Sequence, residues 1–143
     1  MSIWFRTPDL AAVTKSGADT MPGVMGIEFV DYGENFLTAR MPVTPTVHQP
    51  YGRLHGGASV ALGETVASVG AAWTVDPAKN ACVGMEINAN HVRPAREGFV
   101  YCTATQETAG RTSQVWTWRV VDEEGRAVCI GRITMAVIDT ARA

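Results

Sequence analysis

Two groups of residues in the middle of the chain have the types and spacing to do chemistry on a carbonyl. One is Glu64, a lone carboxylate in a run from Gly57 to Trp73 that is otherwise apolar or small. The other is His55-Gly56-Gly57, at the start of that run. The run reads as a helix of about four and a half turns. Ala58, Val60, Ala61, Leu62, Val66, Ala67, Val69, Ala71 and Ala72 surround its axis instead of marking one stripe, which is the pattern of a buried helix. Burying a carboxylate is costly unless it is paired or protonated, and no basic residue on this helix can reach Glu64. Two readings stand: Glu64 faces solvent from a partly exposed helix, or it is held in a dry site for acid, base or nucleophile work. At the helix start, backbone N–H groups lack helical partners, the dipole is positive, and glycine lets another group come close. That is a place for a developing oxyanion. Gly56 and Glu64 are eight residues apart, about 12 Å of helix rise, so one carbonyl cannot touch both ends of that span. Two antiparallel copies of the helix would set Gly56 of one chain beside Glu64 of the other. The spacing therefore points to a site shared between subunits.

The elements around these groups must position them. Thr7-Pro8-Asp9 predicts the start of a short helix through Lys15, with proline in its first turn and Gly17 ending it. Ile27 to Tyr32 alternates as a strand does, Asp31-Tyr32-Gly33-Glu34-Asn35 is turn chemistry, and Phe36 to Val43 is the return strand, stopped by Pro42 and Pro45. A loop from Thr44 to Leu54 leads to the long helix, and Asp76-Pro77-Ala78-Lys79-Asn80 breaks the chain after it. Beyond lie four strand signals: Cys82 to Val92, Phe99 to Thr108, Ser113 to Asp122 and Ala127 to Ile138. Ala109-Gly110 marks a hairpin and Asp122-Glu123-Glu124-Gly125 a turn. This order predicts an α+β domain whose long antiparallel sheet wraps one face of a central apolar helix. The other face of the helix then needs cover, which a second subunit can supply.

Composition narrows the classes. The 143 residues make one domain with room for a real core. A formal net charge of −2 gives no electrostatic support to nucleic-acid binding. Cys82, Cys102 and Cys129 are an odd set without metal-type spacing, each in an apolar segment. They read as buried free thiols in a reducing compartment. The first residues, MSIWFRTPDL, lack a signal-peptide pattern, and no uncharged apolar run reaches transmembrane length. The expectation is a cytoplasmic protein with no membrane partner.

The strand order around an apolar helix resembles the hotdog fold, and particular residues narrow the match. Gln49, Tyr51-Gly52, His55-Gly56-Gly57-Ala58-Ser59 and Glu64 resemble the acyl-CoA thioesterases whose acid lies on the central helix, the helix-acid 4-hydroxybenzoyl-CoA thioesterases among them. Gly84 to Arg93, Ala95-Arg96-Glu97-Gly98, Gln114-Val115-Trp116 and Asp122 to Arg126 are similar to the bacterial thioesterases of 1,4-dihydroxy-2-naphthoyl-CoA, which act in menaquinone biosynthesis. The resemblance runs from about Met21 to Ile138. It is specific for the fold and for thioester hydrolysis. It is less so for the acyl group, because editing thioesterases of the enterobactin pathway share much of it.

The resemblance implies that Glu64 is the nucleophile or the base on water, that the Gly56 N–H polarises the thioester carbonyl, and that His55 and Gln49 orient the thioester or the water. His55 has the alternative of a capping or packing residue. Ser68, one turn after Glu64, would help position water, and reads equally well as a helix hydroxyl bonded to a backbone carbonyl. Coenzyme A contacts would fall on Val83, Asn90, His91, Val92 and Arg93 of one strand, and on the turn Gly110-Arg111-Thr112-Ser113, whose exposed N–H groups could hold a phosphate. No metal or cofactor is implied, since CoA belongs to the substrate. The resemblance also implies a homodimer with shared sites, and a homotetramer beyond it. The N-terminal segment, the loop Val75 to Ala81 and the bulky Trp73 depart from the pattern and are expected to border the acyl pocket. His55-Gly56-Gly57 disfavours the related acyl-carrier dehydratases, which carry a Phe-Pro-Gly type motif instead. A non-catalytic acyl-CoA-binding module would have no reason to keep Glu64 in an apolar helix. The expected activity is hydrolysis of an aromatic acyl-CoA, 1,4-dihydroxy-2-naphthoyl-CoA first, with another aryl-CoA or an aryl group misloaded on a carrier protein as the alternative.

Overall fold

Strict alternation builds the sheet. In β2 (Phe36–Pro42), the first half of β4 (Phe99–Ala109) and β5 (Ser113–Val121) every second residue turns inward and is buried: Leu37, Ala39 and Met41, then Val100, Cys102 and Ala104, then Gln114, Trp116, Trp118 and Val120. With β1 (Glu28–Tyr32), β3 (Asn80–His91) and β6 (Ala127–Asp139) they form one six-stranded antiparallel sheet in the order β1-β2-β4-β5-β6-β3. The computed structural model describes residues 1–143. Two short helices, α1 (Leu10–Ser16) and α2 (Met21–Val24), precede the sheet, and α3 (Gly56–Trp73) packs against one face of it. This is the expected hotdog arrangement.

The helix sits close to the sheet because its inner face is made of small residues. Ala58, Ser59, Leu62, Gly63, Val66, Ala67, Gly70 and Ala71 are its buried positions. A Cβ on Gly63 would overlap the Trp118 indole, and one on Gly70 would lie 2.9 Å from the Trp116 ring. Both tryptophans are essentially inaccessible. Trp116 Nε1 donates to Gln114 Oε1 at 2.8 Å, and the Gln114 amide donates to Thr74 Oγ1 at 2.8 Å. Thr74 in turn donates to the Ala71 carbonyl. A buried glutamine thus ties the C-terminal end of α3 to β5 with its own polar groups satisfied.

Three sequence expectations need correction. The helix is not buried all round: Glu64 is exposed, and Val60, Ala61, Thr65, Ser68, Val69 and Ala72 are only half-covered, because one sheet can shield only one face. Helix α1 starts two residues beyond Pro8, so the proline lies before the helix, and Asp9 is its N-cap, accepting from the Ala12 N–H at 3.1 Å. Helix α2 has no counterpart in the sequence reading; Thr20 stands at its N-cap position without a side-chain capping bond, and Pro22 sits in its only turn. The cysteines are free thiols; Cys102 and Cys129 are buried and Cys82 is half-buried. Burial pushes all three thiols up, so they stay protonated and unreactive at neutral pH.

The glycine contacts predict unequal costs. Alanine gains about 1 kcal/mol over glycine in a helix, whereas overpacking a core costs about 1–3 kcal/mol. Gly63→Ala, which drives a methyl into an immobile indole, should lower stability in urea unfolding. Gly70→Ala, whose methyl would meet the Trp116 ring less deeply, should lower it by less. Equal midpoints for the two variants would mean that the helix is free to shift off the tryptophans.

Candidate active site

The N-terminus of α3 is built by its own cap. His55 has extended backbone, and its Nδ1 accepts from the Gly57 N–H at 2.8 Å. Its carbonyl accepts from Ala58 and Ser59, and its N–H is held by the Val47 carbonyl at 2.8 Å. His55 is therefore a cap in this chain, and with Nδ1 used as the acceptor, Nε2 carries the proton of the neutral ring and points a donor outward. The Gly56 N–H between these bonds has no partner. It is a free donor at the positive end of an 18-residue helix.

The His91 ring, at the end of β3, lies over Gly56. A Cβ on Gly56 would sit 2.9 Å from His91 Cε1 and 3.0 Å from Nε2. The other ring nitrogen, Nδ1, is 3.5 Å from Cys129 Sγ. Beside this stack opens a cavity of about 490 Å³, whose lining includes Gln49, Arg53, Gly56, Ser59, His91, Val92 and Arg93. Gln49 Oε1 accepts from the Tyr51 N–H at 2.5 Å, which leaves its amide hydrogens as donors. The lining holds two guanidinium groups and no carboxylate, and Arg53 Nε is buried without a partner. Such a hole attracts anions. Sequence reasoning missed two of its members. Ser59, only 2% exposed, lies one turn from Gly56, and its place in the quoted HGGAS motif was the available signal. Arg53 is the other, and no local pattern distinguishes it from a solvated surface charge.

Glu64 stands apart from this cavity. Its carboxylate makes no hydrogen bond or ion pair in the chain. It lies against Gly84 of β3, where a Cβ would be 2.5 Å from Oε2, at a bulge that leaves Met85 unpaired. Ser68, one turn on, is half-buried with Oγ 4.0 Å from Met135 Sδ. Gly56 under His91 and Glu64 under Gly84 are thus separate points along one helix and one strand.

The two segments expected to hold CoA do not meet within the chain. Ser113 pairs with Ala136, which pairs with Val83, whereas His91 pairs with Cys129. Val83 and the Gly110–Ser113 turn therefore sit at the opposite end of β3 from Asn90, His91, Val92 and Arg93. The separation is eight residues, about 25 Å of strand. The turn is also less open than expected, since the Gly110 N–H closes it onto the Ser113 carbonyl at 2.8 Å, while Arg111 and Thr112 stay exposed. Asn90 is exposed on the edge strand and does not line the cavity. Trp73 lies at the far end of α3, its ring 4.5 Å beneath the Arg6 guanidinium. The loop Val75 to Ala81 follows it, away from Gly56.

The family model of the thioesterase superfamily matches residues 51–129. The chain is 42% identical to a mutant thioesterase of Pseudomonas aeruginosa of known structure, with 96% of this chain and 99% of that one covered and a TM-score of 0.95. It is 43% identical to the 1,4-dihydroxy-2-naphthoyl-CoA hydrolase of Escherichia coli over 95% of this chain and 99% of that protein. It is 42% identical to a proofreading thioesterase of Klebsiella pneumoniae over 94% of this chain and 98% of that protein.

The cap can be separated from the ring. Replacing an N-cap by alanine costs about 1 kcal/mol, while asparagine caps as well as any residue. His55→Ala should lower the thermal midpoint and His55→Asn should leave it near wild type. An equal drop in both would assign the imidazole to packing instead of capping.

Proposed function

The chain belongs to the thioesterase superfamily and is a thioester hydrolase, and from that premise we propose that it hydrolyses an aromatic acyl-CoA, 1,4-dihydroxy-2-naphthoyl-CoA first, in an active site shared by two copies. The observation that carries this reading is the division of the chemistry within one chain: an unpartnered Gly56 N–H beside an arginine-lined cavity at one point, and an unpaired Glu64 carboxylate at another.

Strand β3 is one of the two edge strands of the sheet. Antiparallel pairing with the same strand of a second copy, about a two-fold axis near Ile87, would set His91 opposite Val83. Gly56, under His91, would then face Glu64 of the second copy, which lies by Gly84. The same pairing would bring the Gly110–Ser113 turn of one copy to Asn90–Arg93 of the other, reuniting the two CoA-binding segments. It would also cover the open face of α3. A further pairing of such dimers would give the homotetramer.

In the reaction, the Gly56 N–H takes the thioester carbonyl oxygen, and charge building on that oxygen is stabilised by the helix end. Glu64 either attacks the carbonyl carbon or removes a proton from the water that does. The C–S bond breaks, the water oxygen ends in the acid, and a proton goes to the CoA thiolate. His55 Nε2 and the Gln49 amide supply donors that orient the thioester or the water. Arg93 and Arg53 face the phosphates of CoA. Ser68, one turn after Glu64 on the same helix, helps to position that water.

A thiol-release panel tests the acyl class. Aryl-CoA thioesters should exceed acetyl-CoA and palmitoyl-CoA in kcat/KM by about tenfold or more, the scale on which an apolar pocket discriminates. An aryl-loaded carrier protein preferred over every CoA ester would turn the assignment toward proofreading, and preference for palmitoyl-CoA would remove the aromatic one.

Subunit mixing tests the shared site. Glu64→Gln should lose about a thousandfold in kcat, the scale of a lost general base. Inactive His55→Ala and Glu64→Ala chains, once mixed and reassembled, should recover about a quarter of wild-type activity, because roughly half the dimers are mixed and each carries one intact site of two. No recovery despite demonstrated exchange of tagged chains would place both residues in a single-chain site.

A further inference from the structure

The His91 ring stands over Gly56, yet it has one hydrogen-bond partner in the chain, the thiol of Cys129 at 3.5 Å from Nδ1. The two residues are cross-strand partners, His91 at the exposed end of β3 and Cys129 on β6 with no accessible surface. The direction of this bond follows from its surroundings. Burial pushes the Cys129 thiol up, against a hydrogen bond from the Ile130 backbone, so the sulfur keeps its proton at neutral pH and has it to donate. No carboxylate lines the neighbouring cavity to claim an N–H of the ring. Nδ1 is then the acceptor, and the neutral imidazole carries its proton on Nε2. His55 reaches the same state by another route, its Nδ1 accepting from the Gly57 N–H. Two imidazoles beside Gly56 thus present donors, one set by the backbone and one by a buried thiol.

We propose that Cys129 is a positioning residue: its thiol holds the His91 ring in one orientation with the proton on Nε2, which gives the thioester carbonyl oxygen a second donor beside the Gly56 N–H. The proposal rests on the reading that the carbonyl docks at Gly56. A Cβ on Gly56 would lie 3.0 Å from His91 Nε2. A Cβ and its amide nitrogen share one Cα, so Nε2 and the Gly56 nitrogen are at most about 5.5 Å apart. One oxygen accepting two bonds of about 2.9 Å spans that gap. Donors fixed in advance stabilise the charge that grows on this oxygen, whereas the other tautomer would aim a lone pair at it. Without the thiol no hydrogen bond would fix the rotation of this exposed ring, whose outer torsion is broad by nature. Cys129, His91 and Gly56 belong to one chain, so this part of the site is complete before two copies pair. The proposed pairing sets Val83 opposite His91, and the valine side chain neither donates nor accepts.

The state of the ring is read on the full chain without substrate. There are three histidines, His48, His55 and His91, so the ring nitrogens of 15N-labelled protein resolve in long-range nitrogen–proton spectra. These are taken at pH about 8.5, where an ordinary imidazole is neutral, and His91→Gln identifies the His91 signals by their loss. His91 should show the Nε2–H pattern, with Nδ1 displaced from the position of a free acceptor by its bond to the thiol. Cys129→Ala should move Nδ1 to that free position, and Cys129→Ser should hold it near wild type. In hydrolysis of benzoyl-CoA, Cys129→Ala should lose about fivefold in kcat, the weight of one neutral hydrogen bond, with KM within about twofold. Cys129→Ser should recover most of that loss. The proposal is overturned by an Nδ1–H pattern in the wild type, by an unmoved Nδ1 or an unchanged kcat in Cys129→Ala, or by equal kcat losses in the alanine and serine variants. Cys129→Val keeps the volume without the donor and replaces the alanine variant if that chain does not fold. Failure to hydrolyse any thioester would remove the docking reading and leave the His91 spectrum to decide for or against the thiol.

Discussion

Everything in this molecule that bears on chemistry depends on how closely α3 lies on the sheet. Gly63 and Gly70 let the indoles of Trp118 and Trp116 press against the helix backbone. That contact fixes the helix in depth and in rotation, because a turn of the helix in either direction would bring a methyl-bearing residue onto the rings. With the rotation fixed, the Gly56 N–H must emerge under the His91 ring, and Glu64 must emerge on the side that the sheet does not shield. The buried Gln114 locks the other end of the helix, satisfying the Trp116 indole and Thr74 at once. Close-packed interiors do not deform continuously, so the position of each reacting group follows from a packing decision made well away from it.

The electrostatics are divided in the same orderly way. The N-terminal end of α3 gathers positive and donor groups: the helix terminus itself, Arg53, Arg93 and the donors of Gln49 and His55. The single acid of the helix stands two turns away, with no cation to neutralise it. A salt bridge at Glu64 would stabilise the chain and spoil the carboxylate as a nucleophile or base, since a paired carboxylate loses basicity. The cysteines show the opposite treatment. Their burial holds them protonated.

Much of this was legible in the sequence, because it is written in local patterns. The four strands after the helix were read to within about two residues of their observed ends, since alternation is a local signal. The start of α3 and the potential of Gly56 and Glu64 were legible from residue type and helical spacing. Other features depend on pairings that no local pattern carries. The exposure of Glu64 depends on which face of an apolar helix the sheet takes. The separation of Gly110–Ser113 from Asn90–Arg93 depends on the β5-β6-β3 register. Helix α2 is four residues long and contains both proline and glycine, so it has no periodicity to detect. Arg53 acquires meaning only when the loop folds back, through the Gln49 N–H to Arg53 carbonyl bond, and sets it beside Arg93.

The unbroken run of α3 from the His55 cap to Glu64 also restricts how the molecule can change over evolutionary time. A single inserted or deleted residue between Gly56 and Glu64 would rotate everything beyond it by about 100°, carrying the acid off its exposed face and pushing a larger side chain toward Trp118. Length variation is therefore closed to this segment, whereas the short α2 and the loop before α3 can gain or lose residues without touching that phase. Divergence in length within such a lineage should concentrate in those peripheral pieces while the helix keeps its residue count.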